Sequence, residues 1–389
     1  MLALLLSFAG VAVGAVLGRP PYARPPFANH TQSRDTNPHL GTNAHVNIAL
    51  SENFPDPCLV NYNGTFVAFA SNTVAGVPED SKNLTLRSEA GVSNVQIATS
   101  TDLKTWNLLD ISHDPLPKVG AWAVQGNFDN TRIPKATVWA PSVMRRTDGR
   151  YILYYSAYPN DAINATAPAT VPELLGPHPP PHCIGAAVSR GNDPYGPYDP
   201  MDQPISCPIV AGGAIDADAF LDPVSNRIYV SYKIDGNNIG NGGVCGNTVE
   251  PVVPTPLMLQ KMQPDGVTPD GTPIALLDRQ PDDGPLIEAP AIARSPDGTY
   301  FLFYSSGCTR SPTYDIKYAT SMHIEGPYER AQSPLLRTGD LGLHAPGSIG
   351  VRVDENGHYD VVFHARVQPD TRAMYSTKLM FKGNQVEFV

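Results

Sequence analysis

From residue 47 onward one hydrophobic pattern repeats along the chain: a short apolar run, a turn signal, then an alternating run rich in aromatics. Its copies are CLVNY-Asn63-Gly64-TFVAFAS, SVMRRT-Asp148-Gly149-RYILYYS, AFLDPV-Ser225-Asn226-RIYVSYK, AIARSP-Asp297-Gly298-TYFLFYS and IGVRVDE-Asn356-Gly357-HYDVVFH. Four of the five turns are Asn-Gly or Asp-Gly, pairs that tolerate the positive φ of a type I′ turn, so each copy predicts a β-hairpin. A weaker unit of short strand and turn follows most copies: 97–106, 186–198 and 318–328, with PLMLQKM and MYSTKLMF in the third and fifth places. Hairpin plus hairpin gives a four-stranded antiparallel sheet. Five such sheets predict an all-β fold, a five-bladed β-propeller over residues 47–389, in preference to a β-sandwich with regular hairpins. No amphipathic helix is expected.

The flanks differ. Residues 1–18 are apolar without a break and then give way to Arg-Pro-Pro, a run short for a membrane span and suited to a signal peptide. Residues 19–46, rich in Pro, Asn and Thr, read as an extended leader. Asn29, Asn63, Asn83 and Asn164 begin glycosylation triplets, and with the signal segment they point to a secreted, extracellular glycoprotein. The net charge of −10 without any Lys/Arg run argues against a nucleic-acid partner or an anionic membrane. Five cysteines leave at least one free unless it pairs between chains; Cys183 and Cys207 are candidates for a bridge, and the pairing stays open.

Chemistry enters at the starts of the hairpins. Counting back ten residues from the second turn residue reaches Trp139, Asp216 and Glu288 in copies two to four, and Asp56 lies eight before Gly64. First strands of propeller blades line a central channel, so carboxylates far apart in sequence are expected to converge there. Singly, each reads as a turn or a solvated loop residue. Together they are what glycosidic cleavage requires: one carboxyl protonated for the leaving oxygen, another ionised to activate water, and a third whose charge raises the first one's pKa. The HPPPH stretch with His178 and His182 lacks a supporting ligand set and reads as a Pro-rich loop.

Four segments resemble glycoside hydrolase family 43, from about Asn53 to His364: Phe54-Pro55-Asp56-Pro57, Val138-Trp139-Ala140-Pro141 with YILYYSA, Ile215-Asp216-Ala217 with Phe220 and Asp222, and Ile287-Glu288-Ala289-Pro290. The resemblance implies a five-bladed propeller acting by inversion, with Asp56 as general base, Glu288 as general acid and Asp216 tuning and orienting the acid. Asp218, two residues on, is the alternative to Asp216. Trp139, Phe220 and Arg366 are the expected sugar contacts; His364 stands beside Arg366. No cofactor is required. Many members place a His near the axis at the start of blade five, sometimes beside a metal ion; Pro346 fills that slot here, with His344 nearby, so no metal ligand is assigned. The expected activity is hydrolysis of α-L-arabinofuranosyl or β-D-xylosyl linkages in plant cell-wall polysaccharides or oligosaccharides. The alternatives are an endo-1,5-α-L-arabinanase and a non-catalytic sugar-binding propeller.

Overall fold

The computed structural model describes residues 37–41, 44–71, 93–124, 138–160, 181–353 and 359–389. The signal segment, most of the leader, Asn29, Asn83, Asn164 and His178 lie outside them. The described residues form five antiparallel sheets and no α-helix. Blade one contains β2 (Cys58–Tyr62), β3 (Thr65–Ser71), β4 (Val95–Ser100) and β5 (Asn107–Leu108). Blade two contains β6 (Trp139–Arg145), β7 (Tyr151–Ala157), β8 (Cys183–Ser189) and β9 (Tyr198–Pro200). In blade three β10 (Ala214–Asp222), β11 (Arg227–Ile234), β12 (Leu257–Lys261) and β13 (Ile274–Leu277) follow one another, and in blade four β14 (Ile287–Arg294), β15 (Tyr300–Ser306), β16 (Asp315–Ser321) and β17 (Glu329–Arg330) do the same.

Blade five joins both ends of the described chain. Its β18 (Gly347–Val353), β19 (Tyr359–Gln368) and β20 (Thr371–Lys382) come from the C-terminal part, and β20 pairs with both β1 (Asn47–Leu50) and β21 (Gln385–Phe388). The first strands neighbour each other in cyclic order, β2–β6–β10–β14–β18 and back to β2. A closed ring of blades leaves only short edges exposed. The hydrophobic pattern explains why it closes. Inner strands read as continuous apolar runs because both faces are covered: all seven residues of β7 and of β15 are buried. Each pair of neighbouring blades shares one apolar cluster, such as Val60, Phe69, Val143 and Leu153 between blades one and two, or Leu59, Ala68, Val362 and Met374 between blades one and five.

The turns are less uniform than their sequences suggest. Of the repeat's turns within the described residues, only Asn63-Gly64, at φ 52° and 81°, closes a two-residue hairpin, between Tyr62 and Thr65; Asn356-Gly357 lies outside the described residues. Arg146 pairs with Arg150 and Ser295 with Thr299 across three residues, and Asp222 pairs with Arg227 across four. That single extra residue in blade three matters for the site.

Candidate active site

Near the start of each first strand a non-glycine residue lies in the left-handed region, at a bulge in blades two to five and just before β2 in blade one: Asp56 (φ 54°), Ala140 (42°), Asp216 (60°), Ala289 (51°) and Ser348 (52°). Such conformations carry roughly 1–3 kcal/mol of strain each and persist only where surrounding contacts fix them. Here a belt of hydrogen bonds does so, the N–H of each of these residues donating to the blade before it. Ala140 donates to Ser71 Oγ (2.7 Å), Asp216 to Ser156 Oγ (3.3 Å), Ser348 to Ser305 Oγ (2.8 Å) and Asp56 to His364 Nδ1 (3.1 Å). All four acceptors occupy the same place near the end of the blade's second strand. In blade three that place belongs to Lys233, and there the belt changes: the Ala289 N–H donates instead to Asp216 Oδ2 at 3.0 Å.

This belt brings the ends of the five first strands to one level of the channel and, with them, Asp56, Asp216 and Glu288. The places are not all equivalent, as the count along the sequence suggests. Because of the longer β10–β11 turn the count slips by one: Trp139 and Glu288 precede their bulges, opposite Ser156 and Ser305, whereas Asp216 sits on its bulge and Ile215 pairs with Lys233.

Asp56 is fixed at both oxygens. Ser71 Oγ donates to Oδ2 at 2.7 Å and Arg372 to Oδ1 at 2.8 Å, with His364 Nδ1 3.3 Å from Oδ1. His364 is fully buried; burial and then the charges of Arg372 and Arg366 hold its pKa well below the usual histidine range, so it is neutral and Nδ1 accepts. Glu288 receives Tyr314 OH on Oε1 at 2.7 Å and Lys233 Nζ on Oε2 at 3.0 Å. Asp216 is raised well above the carboxylate range, first by burial and then by the Glu288 charge; the Asp56 charge adds to it and Lys233 opposes. Asp216 thus lies within electrostatic reach of both Glu288 and Asp56. Asp218 lies elsewhere: Ser142 Oγ donates to it at 2.7 Å, and burial pushes its pKa up to about 6.

The other expected contacts divide. Trp139 takes in blade two the place Glu288 takes in blade four, its ring stacked 3.8 Å from His182, which is buried. Phe220 is not brought to the carboxylates. It lies four residues beyond Asp216, roughly 13 Å along a strand, packs edge-on against Tyr300, and lines a cavity of about 590 Å³ at the hairpin end of the channel. Arg366 directs its guanidinium to the carbonyls of Thr309 and Pro369, while Arg372 meets Asp56. Lys233, Tyr314, Ser71 and Arg372 were not anticipated from the sequence. For Ser71 and Lys233 a signal existed: Ser71, Ser156, Lys233, Ser305 and His364 are the sixth residues of FVAFAS, YILYYS, IYVSYK, YFLFYS and YDVVFH. Arg372 and Tyr314 stand outside the repeat and carry no such mark. Among the described residues no three His, Cys, Asp or Glu side chains group as a metal site, and no helix is long and apolar enough to cross a membrane.

Two bridges hold the surrounding loops, Cys183–Cys207 and Cys245–Cys308, and Cys58 is free and buried. The second ties the loop after β11 to the segment after β15 that leads to Tyr314.

The sequence model of Glycosyl hydrolases family 43 matches residues 47–382. Over 291 residues, 72% of this chain and 51% of the relative, the sequence is 25% identical to "Extracellular endo-alpha-(1->5)-L-arabinanase 2" of Bacillus subtilis. Over 261 residues, 66% of this chain and 65% of the relative, it is 26% identical to "Beta-D-galactofuranosidase xynD" of Aspergillus niger. The chain therefore spans about half to two thirds of these relatives. Among solved structures, a thermostable family-43 glycoside hydrolase matches with a TM-score of 0.62 at 20% identity, covering 90% of this chain and 95% of that one. An endo-arabinase from Bacteroides thetaiotaomicron matches at 0.59 and 18% identity, covering 88% and 99%. These likenesses show the fold.

Proposed function

This chain belongs to glycosyl hydrolase family 43, and on that footing we propose that it is a secreted, inverting hydrolase of α-L-arabinofuranosyl or β-D-xylosyl linkages in plant cell-wall polysaccharides or oligosaccharides. The observation that carries the reading is the meeting of Asp56, Asp216 and Glu288 from blades one, three and four at one level of the channel, with Asp216 bonded to the residue after Glu288. Glu288 donates its proton to the glycosidic oxygen as the bond to the anomeric carbon breaks. Asp56, held in place by Ser71 and Arg372, takes a proton from the attacking water. Asp216 and Glu288 repel as a coupled pair, so the pair retains a proton that Glu288 delivers, and Tyr314 fixes the direction of the carboxyl. Trp139 offers a flat apolar face to a sugar ring.

The names of the Bacillus and Bacteroides proteins favour a second reading, an endo-acting arabinanase. Hydrolysis of a panel of nitrophenyl pentosides beside linear arabinan separates the two. Release of nitrophenol supports the exo reading, and shortening of arabinan without it supports the endo reading. Sugar binding with no hydrolysis of any substrate leaves only a non-catalytic propeller. Glu288→Gln is expected to lower kcat on a poor-leaving-group substrate by roughly 10²–10⁴-fold and to harm an activated aryl substrate less.

A further inference from the structure

Lys233 stands where blades one, two and four place a serine. Those serines accept the next bulge's N–H, but Lys233 does not share that task, because Asp216 has taken over the Ala289 N–H. What distinguishes Lys233 is its charge. Its side chain is 0% exposed and its ammonium lies between two carboxylates, 3.0 Å from Glu288 Oε2 and 2.9 Å from Asp235 Oδ1. Asp235, itself 7% exposed, directly follows β11 and opens the loop that Cys245–Cys308 ties to blade four.

We propose that Lys233 and Asp235 form a positioning pair that sets the pH at which Glu288 gives up its proton. Alone beside Glu288, a buried ammonium favours the ionised carboxylate, the wrong state for a proton donor. Asp235 counters this by taking half of the ammonium's attention, so the acid keeps an orienting donor without the full effect of the cation. Burial by itself pulls Lys233 down, yet the charges of Asp235, Glu288 and Asp216 outweigh it and hold Lys233 above the usual lysine range, so the ammonium stays charged. The other groups facing Glu288 are Tyr314 through its hydroxyl, Asp216 from β10, and Asp56 with its partners Arg372 and His364 further round the channel. None of them reproduces a cation shared between two carboxylates.

The inference rests on Glu288 being the acid, and the experiment keeps the two ideas apart. The dependence of kcat/KM on pH is measured with one poor-leaving-group substrate for the wild type, Lys233→Met, Lys233→Arg, Asp235→Asn and Glu288→Gln. Lys233→Met is expected to move the basic limb up by about one unit or more, and Asp235→Asn to move it down, while Lys233→Arg restores the wild-type limb. A pair that merely props up the fold lowers kcat without sending the limb in opposite directions. Limbs that stay put, or that move the same way in both variants, overturn the proposal. Should Lys233→Met fail to fold, the downward shift in Asp235→Asn decides alone. If Glu288→Gln keeps the basic limb, the assignment of the acid falls; if it loses the limb while the pair variants leave it unmoved, only the pair's role falls.

Discussion

Asp216 Oδ2 accepts a 3.0 Å hydrogen bond from the N–H of Ala289, the residue that follows Glu288. One contact therefore joins blades three and four and seats one carboxylate beside the other. Burial, then the Glu288 charge, raise Asp216 well above its usual range. An unfolded Asp titrates near 3.9, so the folded state favours the protonated form. The stability this contributes is complete below about pH 3.9 and is lost as pH rises through the folded value. Asp216→Asn has no proton to lose, and its Tm should fall less than that of the wild type as pH rises from about 3.9. Its kcat should drop, by less than the roughly 10²–10⁴-fold expected for loss of the donor itself. The basic limb, which belongs to the coupled Asp216 and Glu288 pair, should move down. Asp218→Asn, which touches Ser142 and not Glu288, should leave that limb in place. Thermal melts and pH profiles on the two variants report both effects.

Much of this was legible in the chain. Apolar runs and Asn-Gly or Asp-Gly turns define the hairpins, because a strand buried on both faces, as β7 and β15 are, is written as a nearly continuous apolar run. Carboxylates at hairpin starts locate the site, since a ring of first strands must gather them. The exact alignment was not legible: one additional residue between Asp222 and Arg227 shifts blade three by a position, and no local signal marks such a turn. Phe220 shows the same limit. Membership of a motif places it near Asp216 in sequence, yet four residues along a strand carry it toward the far end of the channel. Closure through β1 was also hidden, because Asn47–Leu50 is short and pairs with β20, more than 300 residues away.

A second prediction concerns Gly347. A Cβ there would overlap the ring of Tyr314. That ring has nowhere to go: it stacks over His364, with centroids 6.0 Å apart, and its hydroxyl holds Glu288. Gly347→Ala should therefore displace Tyr314, costing about 1–3 kcal/mol of stability by overpacking and lowering kcat more than KM changes. Tyr314→Phe gives the comparison, since it removes the hydroxyl and spares the packing. If Gly347→Ala keeps full kcat, Tyr314 does not orient the acid.

The cysteines give a third test. Burial, and next the charge of Asp218, push the Cys58 thiol up to about 12, which leaves almost no thiolate at neutral pH. A thiol reagent should find no reactive group in the native protein and one per chain after unfolding without reductant. More than one would break a bridge assignment. The Cys245–Cys308 bridge spans 63 residues, and on a chain-entropy view replacing both cysteines by serine removes up to about 4 kcal/mol. Because this loop begins at Asp235 and ends near Tyr314, the same variant should also lose activity at temperatures where it is still folded.

The last prediction is stereochemical. Both Asp56 oxygens are engaged, by Ser71 and by Arg372, and its backbone is fastened to His364. A carboxylate fixed this way holds a water well but is poorly free to swing onto an anomeric carbon. Blades one and four are not neighbours in the ring, since β18 lies between β14 and β2, which leaves room for a sugar ring and a water between Asp56 and Glu288. Inverting pairs stand roughly 6.5–9.5 Å apart for that reason, and retaining pairs nearer ~5 Å. The first-formed sugar should therefore carry the inverted configuration. Proton NMR of fresh hydrolysate, read before mutarotation, reports it. Asp56→Asn should show no rescue with a new covalent product and no transfer of the glycosyl group to methanol. Retained configuration in the wild type would instead make Asp56 a nucleophile, and the Ser71 and Arg372 contacts would then have to release it at every turnover.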